Sequence, residues 1–483
     1  MLHLPVLRAG RPYRSLDTIT LTDVRSGEPV ATVSQAGAAM IAHDMAGGHA
    51  RRRRLQEIGS AARLDICRKA AGLFIGESLP AGDRVQSPAD YVACLSATTG
   101  MPEALCRANM KKIHFVLDRM DVVLAGLTRG LDLDIVDAGH GVMAGRPVAY
   151  VCEADRLGAV LPSNSPGVHS LWIPAVALGV PVVLRPGSRE PWTPVRIAQA
   201  LIAAGLPPEA ISFYPGGHDG ATEIVLRSER SMVFGDESTV LPWVSDPRVQ
   251  IHGPGWSKVL LADAAASSSR DHLDLMVTSI AANGGRSCIN ASGVWTTSGG
   301  EALADALAGR LARMSARPLD DPEASLAAFS DPDVASRIDQ FIEQRLAVPG
   351  ARDITAEVRG TPRRARVDGC TFLLPTIIHV TEPDHPLAAA EFLFPFAAVV
   401  ERPRESMLSA LGPTLVCTAI TGDPALAREL MDCGSIERLN LGPIPTTQVS
   451  WDQPHEGNLF EHLFRQRAFC AARNGRPAGT GAA

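Results

Sequence analysis

One stretch of this 483-residue chain, Asn283-Gly284-Gly285-Arg286-Ser287-Cys288, offers a thiol in a setting suited to nucleophilic catalysis. Paired glycines permit backbone conformations closed to other residues, so a bend here can present Cys288 at a cleft. The thiolate is the reactive form, and it is favoured by neighbouring cations and backbone amides. With Arg286 two residues away, the Cys288 thiol is expected to have a lowered pKa. A second reading stands beside this one, because a lone cysteine also serves as a small buried apolar side chain.

The elements that must position this thiol read as alternating strands and helices. Residues 35 to 130 carry a helical pattern, with breaks at Gly82 and at Thr99-Gly100-Met101-Pro102. Residues 131 to 161 alternate apolar and polar side chains around Ala144-Gly145-Arg146, which predicts an extended hairpin. From Val160 onward short apolar runs (GAVL, PVVL, AISF, SMVF, VQIH, KVLL) are separated by glycine or proline turns and by helical stretches. Past Cys288 the pattern resumes through GVWTTS, a helical region from 300 to 347, FLLPTIIHV, FAAVVE, LVCTAIT, a helix over 423 to 433, and RLNLG. Such alternation predicts mostly parallel sheets covered on both faces, here two α/β layers joined near residue 260. Residues 313 to 335 read as surface loop and the final GRPAGTGAA as a frayed tail.

Composition narrows the function classes. A formal charge of −6 leaves no concentrated basic surface of the kind that nucleic-acid binders show, so DNA and RNA are not expected partners. The one basic run, Arg51 to Arg54, leads into an apolar pattern at helical spacing and reads as a solvated helical turn rather than a phosphate or membrane patch. The nine cysteines are odd in number and dispersed, with no CxxC pair. That argues against a disulfide framework or a metal site and for a reducing, cytoplasmic location. The most apolar long stretch, LWIPAVALGVPVVL, is too short and too marked by proline to span a bilayer.

Several motifs in order resemble the NAD(P)-dependent aldehyde dehydrogenase superfamily over nearly the whole chain. Asn283, Gly285 and Cys288 match that family's nucleophile segment, with Arg286 where glutamine is usual. Residues 160 to 216, from VLPSNSPG to AISFYPG, are similar to its long signature. FLLPTIIHV, EFLFPF at 391 to 396 and RLNLG at 438 to 442 are similar to its later landmarks. The resemblance implies that Cys288 attacks an aldehyde carbonyl and that the Asn164 amide and the Cys288 backbone N–H stabilise the oxyanion. Hydride transfer to nicotinamide then leaves an acyl thioester. Without the resemblance, Asn164 in Pro162-Ser163-Asn164-Ser165-Pro166 reads as a turn residue.

The same resemblance places Arg185 where a lysine contacts the adenosine ribose and Ser188 where a glutamate binds its hydroxyls. That exchange would admit a 2′-phosphate, so NAD and NADP both remain open as cofactor. Gly235 matches the glycine beneath the pyrophosphate, although Asp236 and Glu237 follow it; either these carboxylates point away from that charge or the match is misplaced. Glu391 matches the glutamate that orients the nicotinamide ribose; the extra residue in EFLFPF leaves plain strand-edge solvation as its other reading.

The family's general base, a glutamate before a Leu-Gly-Gly turn, has no counterpart in Val249-Gln250-Ile251-His252-Gly253-Pro254-Gly255. Water needs such a base, whereas a thiol with a pKa of about 8.5 is already partly ionised. The sequence therefore favours acyl exchange with coenzyme A over hydrolysis. EFLFPF also looks like the acyl-CoA reductase branch. His252 stands as a replacement base, since imidazole titrates near neutrality, or as a turn histidine bonded to backbone.

Together these features predict an α/β, aldehyde dehydrogenase-like fold. Its parts are a Rossmann-like cofactor domain (1–130 and 153–260), an α/β catalytic domain (261–448) and a β oligomerisation arm with C-terminal tail (131–152 and 449–483). A homodimer or homotetramer is expected, acting on a small aldehyde or acyl-CoA, with no metal. The rival readings are a hydrolytic dehydrogenase and a family-fold subunit without catalysis.

Overall fold

Short aliphatic strands pair in parallel only through crossover connections, and the computed structural model, which describes residues 1–46 and 49–470, contains two sheets built that way. In the first, β1 (Leu157–Val160), β2 (Val182–Arg185), β3 (Ile211–Phe213), β4 (Arg230–Phe234) and β5 (Val249–His252) run parallel in the order β5-β4-β1-β2-β3. Two antiparallel strands, Val6–Arg8 and Arg11–Tyr13, extend it past β3.

The second sheet holds β6 (Ser257–Leu261), β7 (Ala291–Thr296), β8 (Thr376–Val380), β9 (Phe396–Glu401), β10 (Thr414–Ile420) and β11 (Ile436–Leu441) in the parallel order β8-β9-β7-β6-β10-β11. Ala351–Asp353 adds an antiparallel edge beside β8. All residues of β1, β6, β7 and β10 are buried, which is why these strands are nearly unbroken apolar runs.

The chain leaves β1 toward β2 and β3 on one side, then returns to β4 and β5 on the other. Strand order therefore reverses between β1 and β4. In open α/β sheets ligands bind outside the carboxyl ends of the strands at such a point. Here those ends lead into Pro162-Ser163-Asn164 and into Gly235.

A third, antiparallel sheet sets Arg146–Cys152 between His140–Met143 and Phe464–Arg467. The hairpin turns at Ala144 and Gly145, whose φ values of 48° and 77° suit a two-residue turn matched to strand twist. Among the described residues no helix is long and apolar enough to cross a membrane.

Several expectations from the sequence are corrected. Leu133–Ala138 is a helix rather than extended chain, because the Asp132 side chain caps its first turn. Gly82 turns a short hairpin, Leu79–Ala81 with Arg84–Gln86, not merely a helix break. The helical region from 300 to 347 is two helices, Gly300–Leu311 and Pro332–Leu346. Between them the predicted surface loop is partly core: Leu319, Leu326 and Ala328 are buried and cluster with Cys370 and Phe372. Arg51 to Arg54 fall inside the helix His49–Gln56, and a fresh helix starts at Ser60. The GRPAGTGAA tail lies outside the described residues.

Candidate active site

Cys288 sits on a loop between helix α2 (Leu273–Ala281) and β7. The shorter helix Glu237–Val240, α1, follows β4. After α2 the backbone takes positive φ at Asn283, Gly284 and Gly285, at 56°, 67° and 69°. At Gly285 an added Cβ would run into the backbone of Phe394 and Pro395, so glycine is demanded both by φ and by the approach of the EFLFPF segment.

Hydrogen bonds fix this loop from every side. Asn283 Nδ2 donates to Ser165 Oγ and Ser287 Oγ at 3.1 and 3.0 Å, and its Oδ1 accepts from Asn109 Nδ2 at 2.7 Å. Asn290 Oδ1 accepts from the Ser287 N–H at 2.9 Å, while Asn290 Nδ2 donates to Ser279 O and Ala282 O. Ser257 Oγ donates to Cys288 O at 2.8 Å. Asn164 Nδ2 donates to Arg286 O at 2.8 Å, which ties the first sheet's switch-point loop to the residue two before the thiol. An amide nitrogen carries two protons, so one N–H of Asn164 remains for a substrate oxygen.

Cys288, Asn164, His252, Gly235 and Glu391 all line one cavity of about 720 Å³. That size is typical of sites for organic ligands. The Cys288 thiol is half-buried, and its pKa lies well above the ordinary thiol value. Burial is the main cause, followed by the negative charges of Glu456 and Glu391; the backbone amides of Cys288 and Ile289 oppose these weakly. The expected activation by Arg286 is absent. Its guanidinium turns the other way, donating to Ala328 O and lying 5.3 Å from the Phe329 ring centre, and burial lowers its own pKa to about 10. Cys288 therefore rests as a thiol and needs a base.

His252 ends β5 and is 4% exposed. It is not bonded to turn backbone: Nδ1 faces the Glu456 carboxylate, and Nε2 has no partner among the described residues. The ring stacks on Phe234, with centroids 4.2 Å apart and planes within 11°. A carboxylate on one nitrogen fixes the tautomer, so the other nitrogen is left as the acceptor. Glu456 lies in the segment after 448, where the sequence predicts only the arm and tail. Nothing local to His455-Glu456-Gly457 announces a partner 204 positions away.

Glu391 is not in a strand; its two carboxylate oxygens accept from the N–H groups of Gly255 and Trp256. Burial, against those two bonds, raises its pKa to about 7. Asp236 and Glu237 do not point away from the cavity but line it. Asp236 caps α1, accepting from Thr239 N at 2.9 Å, and an added Cβ on Gly235 would meet Thr239 at 2.5 Å. Arg185 and Ser188 lie off the Cys288 cavity, at and beyond the carboxyl end of β2. Arg185 Nε donates to Gly216 O at 3.1 Å, and Ser188 is exposed. Arg185 and Ser188, a cation and a hydroxyl, suit the adenosine end of a dinucleotide and Glu391, in the cavity, its nicotinamide end, whereas the acidic pair after Gly235 is unfavourable to a diphosphate.

Comparison with known proteins supplies independent findings. A family model described as the aldehyde dehydrogenase family matches residues 13–406. The phenylacetaldehyde dehydrogenase of Pseudomonas fluorescens is 34% identical over 73 residues; that segment is 15% of this chain and 14% of that protein. An indole-3-acetaldehyde dehydrogenase variant from P. syringae, AldA, in complex with NAD+ and IAA, superposes with a TM-score of 0.78 at 16% identity, covering 97% of this chain and 96% of that one. An aldehyde dehydrogenase from Brucella melitensis biovar abortus 2308 gives 0.76 at 16% identity, with 96% of each chain covered. At such identities the structural likeness concerns the fold.

Proposed function

Since this chain belongs to the aldehyde dehydrogenase family of NAD(P)-dependent oxidoreductases, we propose that it oxidises an aldehyde through a Cys288 acyl thioester and releases the acid by hydrolysis. The carrying observation is that His252, with Glu456 on Nδ1, borders the same cavity as Cys288 and Asn164. We assign the first sheet to the dinucleotide and the second to the nucleophile.

On this reading His252 Nε2 takes the thiol proton, and the sulfur attacks the carbonyl carbon. The oxyanion is held by the Cys288 N–H and the free N–H of Asn164. Glu391 would hold the dinucleotide's nicotinamide end, with Arg185 and Ser188 toward the adenosine; Gly235, beside the acidic pair, is a poor seat for its diphosphate. Bound there, the cofactor supplies a hydride acceptor. His252 then removes a proton from water as it attacks the thioester.

The sequence favoured coenzyme A because it offered no carboxylate near the turn. The Glu456 carboxylate, arriving from the far end of the chain, supports water instead. Coenzyme A remains the second reading, motivated by the turn Gly253-Pro254-Gly255, which itself carries no base. Phenylacetaldehyde, after which the Pseudomonas fluorescens relative is named, is the first aldehyde to assay.

His252→Gln should lower acid formation by roughly 10²- to 10⁴-fold, since both acylation of Cys288 and attack by water lose their base. Wild-type acid formation should proceed equally with and without coenzyme A. Product that requires coenzyme A, or full activity in His252→Gln, excludes the hydrolytic reading.

A further inference from the structure

His252 forms part of the wall of two cavities. Besides the catalytic one it borders a small cavity of about 30 Å³ between β5 and the Val449–Gly457 segment. That space admits one or two waters at roughly 10–15 Å³ each, provided polar groups hold them. Four buried polar atoms of its lining residues have no hydrogen-bond partner among the described residues: Ser170 Oγ, Gln250 Oε1, His252 Nε2 and His455 Nδ1. Buried polar atoms are nearly always paired, so four at one small cavity point to ordered water. The outer rim includes Ser450 and Gln453, both exposed.

Glu456 links the two histidines, bonded to His252 Nδ1 and 4.0 Å from His455 Nε2; the two rings lie 6.4 Å apart with planes 17° from parallel. Gly457 allows this packing, with φ of 83° and room for no Cβ, which would sit 2.6 Å from Gln250 Nε2. Burial lowers the His455 pKa to about 4, so at neutral pH its ring is neutral and can accept.

Proton balance gives the cavity a task. When the Cys288 sulfur bonds to an aldehyde carbon and hydride departs with its electron pair, no leaving group carries off the thiol proton. It stays on His252 Nε2, where it blocks the next abstraction from water. We propose that His252 hands this proton to water in the second cavity, held by Ser170, Gln250 and His455, and that it reaches solvent past Ser450 and Gln453. Glu456 meanwhile keeps the Nδ1 proton in place, so the ring returns to its starting neutral form. One S–H bond breaks, one S–C bond forms, and one proton leaves per acylation. His455 and Ser170 are positioning residues for the water. The inference rests on the reading of His252 as the base.

Phenyl acetate separates this path from a merely structural role. Acylation by the ester expels phenoxide, which takes the thiol proton with it, whereas oxidation of acetaldehyde with NAD+ or NADP+ does not. His455→Phe and, as a second variant, Ser170→Val are expected to slow acetaldehyde oxidation about tenfold while ester hydrolysis stays within about twofold of wild type. Equal loss of both activities, or loss of neither, overturns the proposal. His252→Gln distinguishes the levels. If it leaves both activities intact, the base assignment falls and the path with it. If it abolishes both while the His455 and Ser170 variants change neither, the base stands and only the path falls.

Discussion

At the scale of single residues, the chemistry turns on charges that local sequence misrepresents. Arg286 stands two positions from Cys288 yet is spent on Ala328 O and the Phe329 ring, while Glu456, 168 positions downstream of the thiol, raises its pKa. Replacing Glu456 by glutamine should therefore act in two directions. Loss of the negative charge favours the thiolate, so iodoacetamide should alkylate Cys288 several-fold faster near neutral pH. Loss of the partner on Nδ1 should slow aldehyde turnover by about tenfold or more. Alkylation and turnover that fall together would mean that Glu456 only braces the fold. Cys288 and Asn164 stand out as candidates because each lies just past a helix or strand end within a recognisable motif, and His252 because it ends a strand where the family's glutamate is missing. Side-chain direction was not legible, since it is decided by packing partners such as Phe329 and Phe234 that come from elsewhere in the chain.

At the scale of elements, the alternation of strand and helix was legible wherever apolar runs are continuous, because strands buried on both faces leave no polar positions to confuse the period. It failed where capping or burial overrode composition. Asp132 starts a helix in a segment whose alternation reads as strand, and the polar stretch after Leu311 contributes Leu319 and Leu326 to a core cluster. The nucleophile loop offers a direct test of how its shape is enforced. Gly285 and Gly299 have nearly equal positive φ, 69° and 70°, but only Gly285 faces other atoms. Gly299→Ala should cost on the order of 1 kcal/mol from backbone strain alone. Gly285→Ala should cost several kcal/mol, since Phe394 and Pro395 must also move. Urea unfolding of the two variants gives the comparison, and equal losses would show that the EFLFPF segment yields to the loop rather than fixing it.

At the scale of the whole molecule, the His140–Met143 strand has no partner on its outer side among the described residues, with Val142 62% and Met143 46% exposed. An exposed apolar edge is a template for another chain, and we assign it to self-association. Val142→Asp with Met143→Lys should shift the protein to smaller species in sedimentation equilibrium without loss of phenyl acetate hydrolysis; an unchanged mass would place any subunit contact elsewhere.

The bond between His252 and Glu456 also sets an order of events during biosynthesis. Cys288 is synthesised 168 positions ahead of Glu456. Until Glu456 follows, the imidazole has no carboxylate on Nδ1 to hold its tautomer, and the sulfur lacks both the burial and the negative charge that raise its pKa. A nascent chain thus carries a more readily ionised thiol than the folded one, and docking of the Val449–Gly457 segment quiets the sulfur as it orients the imidazole.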